Sequence, residues 1–482
     1  MIFRYFQKSR HRGNGALTIF VLILAALAIY IVSSLAYWAT SQNRLAREKE
    51  ARETSFQIAE AGLDYYRWHL AHDQNDYWDG NPQGTPGPFV HDYFDKNGNL
   101  IGAFSLDILA PPIGSTLVTV TSTGSSLAFP GVERTVRARY AIPSLARYAV
   151  VADANMRFGS GTEIFGPVHS NGGIRFDGLI HNLITSNQSQ YDDPDHAGGN
   201  EFGVHTHVAP ADPLPPAAVP TRTDIFEAGR QFPAPPVDFD GFTADMAAIQ
   251  SLGDPAQGGV TLTDSGFLGW HVVLRTDDTM DTYRVTQIVA PPGGCSSSQT
   301  QWGTWSIQTE VFDQNIPFPA NGIIFVEDHL WLSGQIQTAK LTIASAVLPE
   351  DPLTNTNITI NNDLRYTTYD GQDTLGIIAQ YNVNVGLRSE DDLVVDGALI
   401  AKNGRVGRHY YNSSCGVEYI RQQITLTGMI ATKQRYGFAY TDGTGYQIRN
   451  LNYDANLLYG PPPSFPLTSD QFEILSWEEI LP

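Results

Sequence analysis

An uninterrupted apolar segment near the amino terminus is the strongest pattern in this chain. Residues 16–39 read ALTIFVLILAALAIYIVSSLAYWA and contain no charged side chain. Roughly 20 apolar helical residues span the hydrocarbon core of a bilayer, whereas a cleaved secretory signal has a shorter apolar core of roughly 7–15 residues. The segment therefore predicts a transmembrane helix rather than a removable signal.

A helical pattern continues beyond the apolar segment. Phe56, Ala59, Leu63, Tyr66 and Leu70 recur at steps of three and four residues, which places them on one face of a helix. We predict a single helix over residues 16–72. Its first part would lie in the membrane, and its amphipathic second part would pack against a globular domain.

Short alternating segments follow the helix. After a loop-like stretch, residues 89–143 place apolar side chains at every second position between turn residues, a pattern typical of antiparallel strands. We therefore predict a mainly β protein that begins with this long helix and has a small β-sheet region over residues 73–143.

The remaining residues, 144–482, show a different β pattern. Very short apolar groups are separated by Gly, Asn, Asp and Ser, as expected of a right-handed β-solenoid, whose rungs bury their apolar faces by stacking. No fixed repeat length is found, and a β-sandwich is the alternative. A proline-rich crossing at 208–236 lies within an expected insertion at about residues 200–320.

Charge gives the predicted helix a direction. Arg4, Lys8, Arg10 and Arg12 precede the apolar segment without any acidic residue, and such positive charge is retained on the cytoplasmic side. The β-rich body would therefore be exported but tethered. The formal net charge of −20 disfavours nucleic acid, itself a polyanion, as a partner.

Two cysteines, Cys295 and Cys415, occur in the chain. Both lie in the part that we expect to be exported, where disulfides persist. We expect these cysteines to pair. The alternative is two unpaired thiols.

His205 and His207 are the candidate metal ligands. In an extended strand their side chains would point to the same side, and imidazole is a common ligand of Zn, Cu and Ni. Spacing provides no third ligand, so we predict no metal site and no cofactor. A polar strand face or turn is the alternative role for the two histidines.

The sequence contains no catalytic motif that we recognise. G-x-S-x-G, H-E-x-x-H and P-loop patterns are absent. Adjacent carboxylates such as Asp391 and Asp392 would point to opposite faces of a strand. We name no catalytic residue and predict a non-enzymatic protein, with a tethered carbohydrate-active enzyme as the less favoured alternative.

The first seventy residues carry a resemblance to a known family. Gly15 followed by ALTIFVLILAALAIYIVSS resembles a type IV prepilin leader junction, with residues 1–15 as the leader and a cut between Gly15 and Ala16, although Gly13 also precedes a possible cut. Residues 56–70, FQIAEAGLDYYRWHL, are similar to the helix end of PilX-type pilus assembly proteins. Most pilins have Glu where Phe20 stands here, and its absence is similar to some minor or tip-initiating subunits.

Two later segments, 161–178 and 393–404, resemble exported bacterial proteins that combine PilX-like amino termini with β-helical bodies. The resemblance implies a minor pilin-like subunit or assembly factor, displaying its body for adhesion or pilus priming. The implied partners are other pilin-like subunits through the helix, the inner membrane, a prepilin peptidase and a surface or glycan ligand. The alternative is an envelope scaffold or adhesin that never enters a filament.

Overall fold

The computed structural model describes residues 14–111, 115–129, 131–239, 246–468 and 471–481, with side chains described from residue 17 onward. Most of the predicted leader lies outside these residues. Contacts group the chain into two compact units. The first comprises Met1–Leu109, Thr119–Arg139 and Ile474–Pro482, and the second comprises Ala110–Val118 and Tyr140–Glu473.

The described residues form helices α1 (Asn14–His72) and α2 (Met246–Leu252) and short 3-10 helices at Leu145–Arg147, Pro255–Gln257, Ser413–Cys415, Val417–Tyr419 and Ala455–Leu458. The first strands are β1 (Phe89–Phe94), β2 (Leu100–Leu109), β3 (Val118–Ser126), β4 (Glu133–Ala141), β5 (Val150–Ala152), β6 (Met156–Phe158), β7 (Thr162–Ile164), β8 (Val168–Ser170), β9 (Ile174–Phe176) and β10 (Leu179–Ile180). They are followed by β11 (Ile184–Ser186), β12 (Gln190–Tyr191), β13 (Glu201–Phe202), β14 (Val204–His205), β15 (Arg230–Gln231), β16 (Val260–Leu262), β17 (Trp270–Leu274), β18 (Thr279–Ile288), β19 (Ile307–Pro317) and β20 (Ile323–Val326). The last are β21 (Leu330–Ile336), β22 (Lys340–Ser345), β23 (Ile358–Thr359), β24 (Leu364–Tyr366), β25 (Thr374–Ala379), β26 (Val383–Val385), β27 (Asp392–Ala401), β28 (Val406–Arg408), β29 (Ile420–Thr432), β30 (Gly445–Tyr453) and β31 (Glu473–Ile480).

The chain thus has a long amino-terminal helix followed by a β-rich body with several sheets. In the first unit, α1 packs against a five-stranded sheet in the order β1-β2-β3-β4-β31, in which β1, β2 and β3 are antiparallel neighbours. The buried face of the helix carries Ile58, Ala59, Leu63, Tyr66 and Leu70. Four of these buried residues belong to the predicted apolar stripe: Ala59, Leu63, Tyr66 and Leu70.

Two glycines allow the helix and the sheet to approach closely. A Cβ atom at Gly62 would overlap Oγ of Ser122, and a Cβ at Gly124 would overlap the carbonyl oxygen of Ser55. Side chains at these positions would push the helix off the sheet, so the small residues determine the helix–sheet distance.

The carboxyl terminus belongs to the small sheet of the first unit. Strand β31 pairs beside β4 as the fifth strand of the small sheet. Trp477 packs edge-on against Phe56 with ring centroids 6.0 Å apart, and Arg134 forms an ion pair with Glu479. The small sheet region predicted over 73–143 is therefore completed by residues more than 300 positions away.

The second unit is built around a ladder of parallel strands. In spatial order the strands are β16, β20, β22, β25, β27, β29, β5, β8, β11 and β15, and each pairs with the next in parallel. A β-sandwich, the alternative prediction, consists of antiparallel sheets. The chain enters this ladder at its middle, at β5, proceeds to one end at β15, and restarts from the other end at β16.

Aliphatic side chains lie in register through the ladder, which explains why the strands stack. Each of these side chains is at most 2% exposed, so neighbouring rungs cover one another's apolar surface. The series is Ile324, Ile343, Ile377, Leu399, Ile430, Val150, Val168 and Ile184.

The expected insertion at 200–320 differs from the structure. Strands β16 and β17 pair in parallel with β20 and β21 and so extend the stack, and β18 and β19 continue from β17 as antiparallel neighbours. Proline-rich sequence at 208–236 suggested an excursion because proline is rare in strands. The strands after it return to the same sheet.

Cys295 and Cys415 form a disulfide. Both cysteines are buried beside Leu387 and Tyr411. The bond joins two loops that are 120 residues apart in sequence.

His409 gives the second unit an acid-sensitive point. It is 1% exposed, and its ring nitrogens have no hydrogen-bond partner in the described part of the chain. Burial, reinforced by the charge of Arg405, lowers the pKa of the imidazole from 6.5 to about 3. The folded protein therefore keeps this side chain neutral.

We expect His409 to destabilise the protein progressively as the pH falls from 6.5 toward 3. In this window the unfolded chain binds a proton that the folded chain does not bind, which lowers the free energy of unfolding by up to about 1.4 kcal/mol per pH unit. His409→Leu should remove this component. Thermal midpoints of the two proteins, measured across this pH range and above pH 7, check it. A difference between them that stays constant with pH contradicts the assignment.

Candidate functional site

The amino-terminal half of α1 is an uncharged surface with no covering structure among the described residues. Large apolar side chains between Leu17 and Trp38 are 52–78% exposed. Among the described residues, α1 is the one helix long and apolar enough to cross a membrane. Gly15, at the predicted cut before Ala16, lies in the first turn of this helix.

A second candidate site forms around His205 and His207. Strands β12 and β13 form a short antiparallel pair, and β14 follows after Gly203. A Cβ at Gly203 would overlap the carbonyl oxygen of Gln188, so a side chain there would prevent this tight crossing. The crossing brings the loop after β12 against the end of β14.

Four side chains converge there. Potential ligand atoms of Asp193, Glu201, His205 and His207 all lie within 4.8 Å of one another. Nε2 of His207 is 2.9 Å from Oε2 of Glu201, and Nε2 of His205 is 3.6 Å from Oδ2 of Asp193. Nε2 of His205 also contacts Oε2 of Glu201. We call these four residues the carboxylate–imidazole cluster.

The cluster is buried. Asp193, Glu201 and His205 are 4%, 3% and 1% exposed, while the side chain of His207 is 19% exposed. Within the described residues, Oδ2 of Asp193 and both ring nitrogens of His205 lack a hydrogen bond of acceptable geometry. Burial lowers the pKa of His205, which favours the neutral imidazole, the form that ligates metal ions.

Neighbouring groups hold the cluster in place. Oδ1 of Asp193 accepts a hydrogen bond of 3.0 Å from the backbone N–H of Asp195, which leaves Oδ2 directed at His205. The backbone N–H of His207 donates to Asp177 over 2.8 Å, and Asp177 also accepts from Arg175. Both ends of the cluster are thereby anchored to the backbone or to an ion pair.

Other histidines near in sequence do not join the four. His169 hydrogen-bonds Thr185 and Asn171, and His181 pairs with Glu163 and Glu227 on the surface. His196 lies at the edge, with Nδ1 2.7 Å from Glu201. Proximity in sequence alone was therefore a poor guide to the members of the site.

From the sequence, the two histidines were the candidate ligands; Asp193 was one of three nearby acids, with Asp192 and Asp195, that spacing did not place, and Glu201 was missed. Glu201 precedes His205 by four residues, and Asp193 lies in a loop eight residues before Glu201. The signal E-x-x-x-H-x-H is present in the sequence. It can be interpreted as a set of neighbouring side chains only when the structure shows that β13 and β14 are separated by a tight crossing at Gly203 and do not form one straight strand.

A cleft of about 720 Å³ opens beside His207. Five arginines line it, and each is held by a protein oxygen. These are Arg157 and Arg435 on Asp195, Arg175 on Asp177, Arg405 on the carbonyl of Arg408, and Arg449 on the carbonyl of Tyr446. The arginine charges are therefore partly compensated within the protein. Their presence does not identify a ligand for the cleft, and a surface or glycan ligand stays a prediction.

Comparison with known proteins gives a distant likeness to a solved structure. No family model matches the chain, and no curated protein matches it. Among solved structures, the chain is similar to the competence-associated pilin ComZ from Thermus thermophilus, with 15% sequence identity and a TM-score of 0.30 over 89% of this chain and 97% of that chain. A TM-score this low does not establish a shared fold.

Proposed function

We propose that this chain is a non-enzymatic, single-pass membrane protein of a type IV pilus-like machine, acting as a minor pilin-like subunit or assembly factor. One observation carries the proposal: α1 is continuous from an uncharged, exposed half into a half that packs on an antiparallel sheet. A helix that is apolar all round requires lipid or neighbouring helices. The exposed half of α1 would be surrounded by lipid before assembly and by the helices of neighbouring subunits within a filament.

The disulfide supports export of the body. Disulfides persist in the periplasm and at cell surfaces and are rare in the cytosol, and Cys295–Cys415 lies in the second unit. Together with the four basic residues before the helix, it favours a cytoplasmic amino terminus in the inner membrane. The sequence segment at residues 56–70 favours a PilX-type protein within this class.

We also propose that the second unit is a right-handed β-solenoid. Its parallel ladder and stacked aliphatic residues support the solenoid, and parallel crossover connections are right-handed in the great majority of proteins. Presented at the filament tip or surface, this body would serve adhesion or priming of assembly. Its bulk favours a minor rather than a repeating subunit.

Processing of the amino terminus tests the proposal. We expect the protein from native membranes to begin at Ala16 when the host prepilin peptidase is present and at Met1 when the peptidase is deleted. Gly15→Leu should leave Met1 intact in both strains, because the bulky side chain blocks the cut. Gly13→Leu is the matched control and should be processed normally. Amino-terminal sequencing and recovery in sheared filaments are the measurements.

An intact Met1 in both strains would exclude a processed pilin-like subunit. The protein would then be an anchored envelope scaffold or adhesin. Processing at Ala16 without recovery in sheared filaments would support an assembly factor that stays in the membrane.

A further inference from the structure

We propose that the carboxylate–imidazole cluster binds one divalent transition-metal ion of the zinc class, through Asp193, Glu201, His205 and His207. Two imidazoles and two carboxylates are a ligand set suited to Zn²⁺. The site is independent of the membrane anchor and of its processing, since all four residues belong to the second unit.

The distances fit a shared ion. Ligands at about 2.0–2.1 Å from a tetrahedral ion lie about 3.3 Å from one another. Two observed separations, 2.9 Å between His207 and Glu201 and 3.6 Å between His205 and Asp193, lie on either side of that value. The contact between His205 and Glu201 is closer and would have to open, and all four ligand atoms lie within 4.8 Å of one another. Small side-chain adjustments would bring all four atoms into one coordination sphere.

The hydrogen-bond pattern favours an ion over a purely hydrogen-bonded cluster. Oδ2 of Asp193 and Nε2 of His205 are buried, face each other, and lack hydrogen bonds within the described residues. Buried polar atoms that lack a hydrogen bond destabilise the folded state. A cation between them would satisfy both atoms at once.

Charge leads to the same conclusion. Asp193 and Glu201 bring two negative charges into a site that is nearly closed to solvent. The nearest cation, Arg175, is 2.7 Å from Asp177 and 3.6 Å from Asp193, so its charge is already shared. A divalent ion would neutralise the two carboxylates in a site where buried charge is costly.

Backbone pairing in this region is weak, which suggests a structural role for the ion. The β12–β13 pair and the β14–β9 pair each contain two residue pairs. An ion held by the loop after β12, by β13 and by the end of β14 would join these elements. Structural metal sites contribute directly to folding in this way.

His181 offers a matched control. It also lies between two carboxylates, Glu163 and Glu227, but each ring nitrogen has a 2.8 Å hydrogen bond and the side chain is 26% exposed. Its hydrogen bonds are complete without an ion. Substitution there removes a histidine from an acidic setting without touching the proposed site.

The full chain, purified in detergent without a polyhistidine tag or added metal, should contain about one equivalent of a divalent transition metal by elemental analysis. After chelation, Zn²⁺ should rebind at one site in a competition titration. His205→Gln and Glu201→Gln should each weaken Zn²⁺ binding more than about 100-fold, the upper end of the effect for outer-shell partners. His181→Gln should bind Zn²⁺ as the wild type does.

Co²⁺ substitution provides a second readout. Replacing Zn²⁺ with Co²⁺ should give the intense visible absorption of a four-coordinate ion in the wild type and in His181→Gln. Circular dichroism shows whether each variant is folded. Should His205→Gln fail to fold, the metal content and Co²⁺ spectrum of the wild type still decide the matter.

Three results would overturn the proposal: a folded wild type with no bound metal and no Zn²⁺ binding, unchanged Zn²⁺ affinity in both His205→Gln and Glu201→Gln, or an equal loss in His181→Gln. None of these results depends on cleavage at Gly15. Failure of the metal site and failure of the pilin-like function are therefore separate outcomes.

Discussion

Loss of the disulfide is expected to lower the free energy of unfolding of the second unit by about 4–5 kcal/mol. Cys295 and Cys415 are 120 residues apart, and a cross-link over that distance removes about this much chain entropy from the unfolded state. Cys295→Ser, Cys415→Ser and the double variant should lose nearly the same amount, because either single change breaks the bond. Thermal or urea unfolding of the full chain in detergent measures the loss.

The wild type under reducing conditions is the control for this prediction. It should move toward the double variant, while the double variant itself should be unaffected by reductant. Losses that add up over the two single variants would mean that the cysteines stabilise the loops by separate packing contacts and not through the bond.

Gly428→Ala is expected to destabilise the second unit by about 4 kcal/mol. Gly428 and Gly397 are paired in adjacent rungs and have φ values of +150° and +146°. A Cβ at Gly428 would overlap the carbonyl oxygen of Gly397. Backbone strain of about 1–3 kcal/mol and overpacking of about 1–3 kcal/mol would both apply. The shift in urea midpoint checks the value.

Gly443→Ala separates the two contributions. Gly443 also has a positive φ, +84°, but a Cβ there would meet nothing within 4 Å. We expect only the conformational cost, about 1–2 kcal/mol. Equal losses at the two positions would show that stacking at Gly428 is looser than the structure indicates.

The long helix was predictable because its signal is local. The charge-free run at 16–39 and the stripe from Phe56 to Leu70 are each visible within one window of sequence. The helix observed over Asn14–His72 follows that pattern closely. No other residue in the chain is needed to recognise it.

The parallel ladder lacks such a signal because its rungs differ in length. Val150 pairs with Val168, 18 positions later, whereas Ile343 pairs with Ile377, 34 positions later. Loops of different size between matching aliphatic residues remove any fixed repeat. The pairing of β29 with β5 connects residues 280 positions apart, and no local sequence pattern indicates it.

The candidate metal site was half predictable for a related reason. The alternation of His205 and His207 is a local pattern, and both side chains take part in the cluster. Asp193 joins them through a loop, and Glu201 through a turn at Gly203. Contacts made by loops depend on backbone geometry that residue spacing does not encode.

Entry of the chain at the middle of the ladder has a consequence for the order in which the sheets can be completed. Residues that emerge first, from Val150 onward, expose the strand edge that β29 covers, and β4 waits for β31 at the end of the chain. Uncovered strand edges template aggregation. A chain that stops before residue 420 would thus present open strand edges from both units. Both sheets therefore stay incomplete until the residues after 420 have been made, and an unfinished copy differs from a finished one by its exposed strand edges.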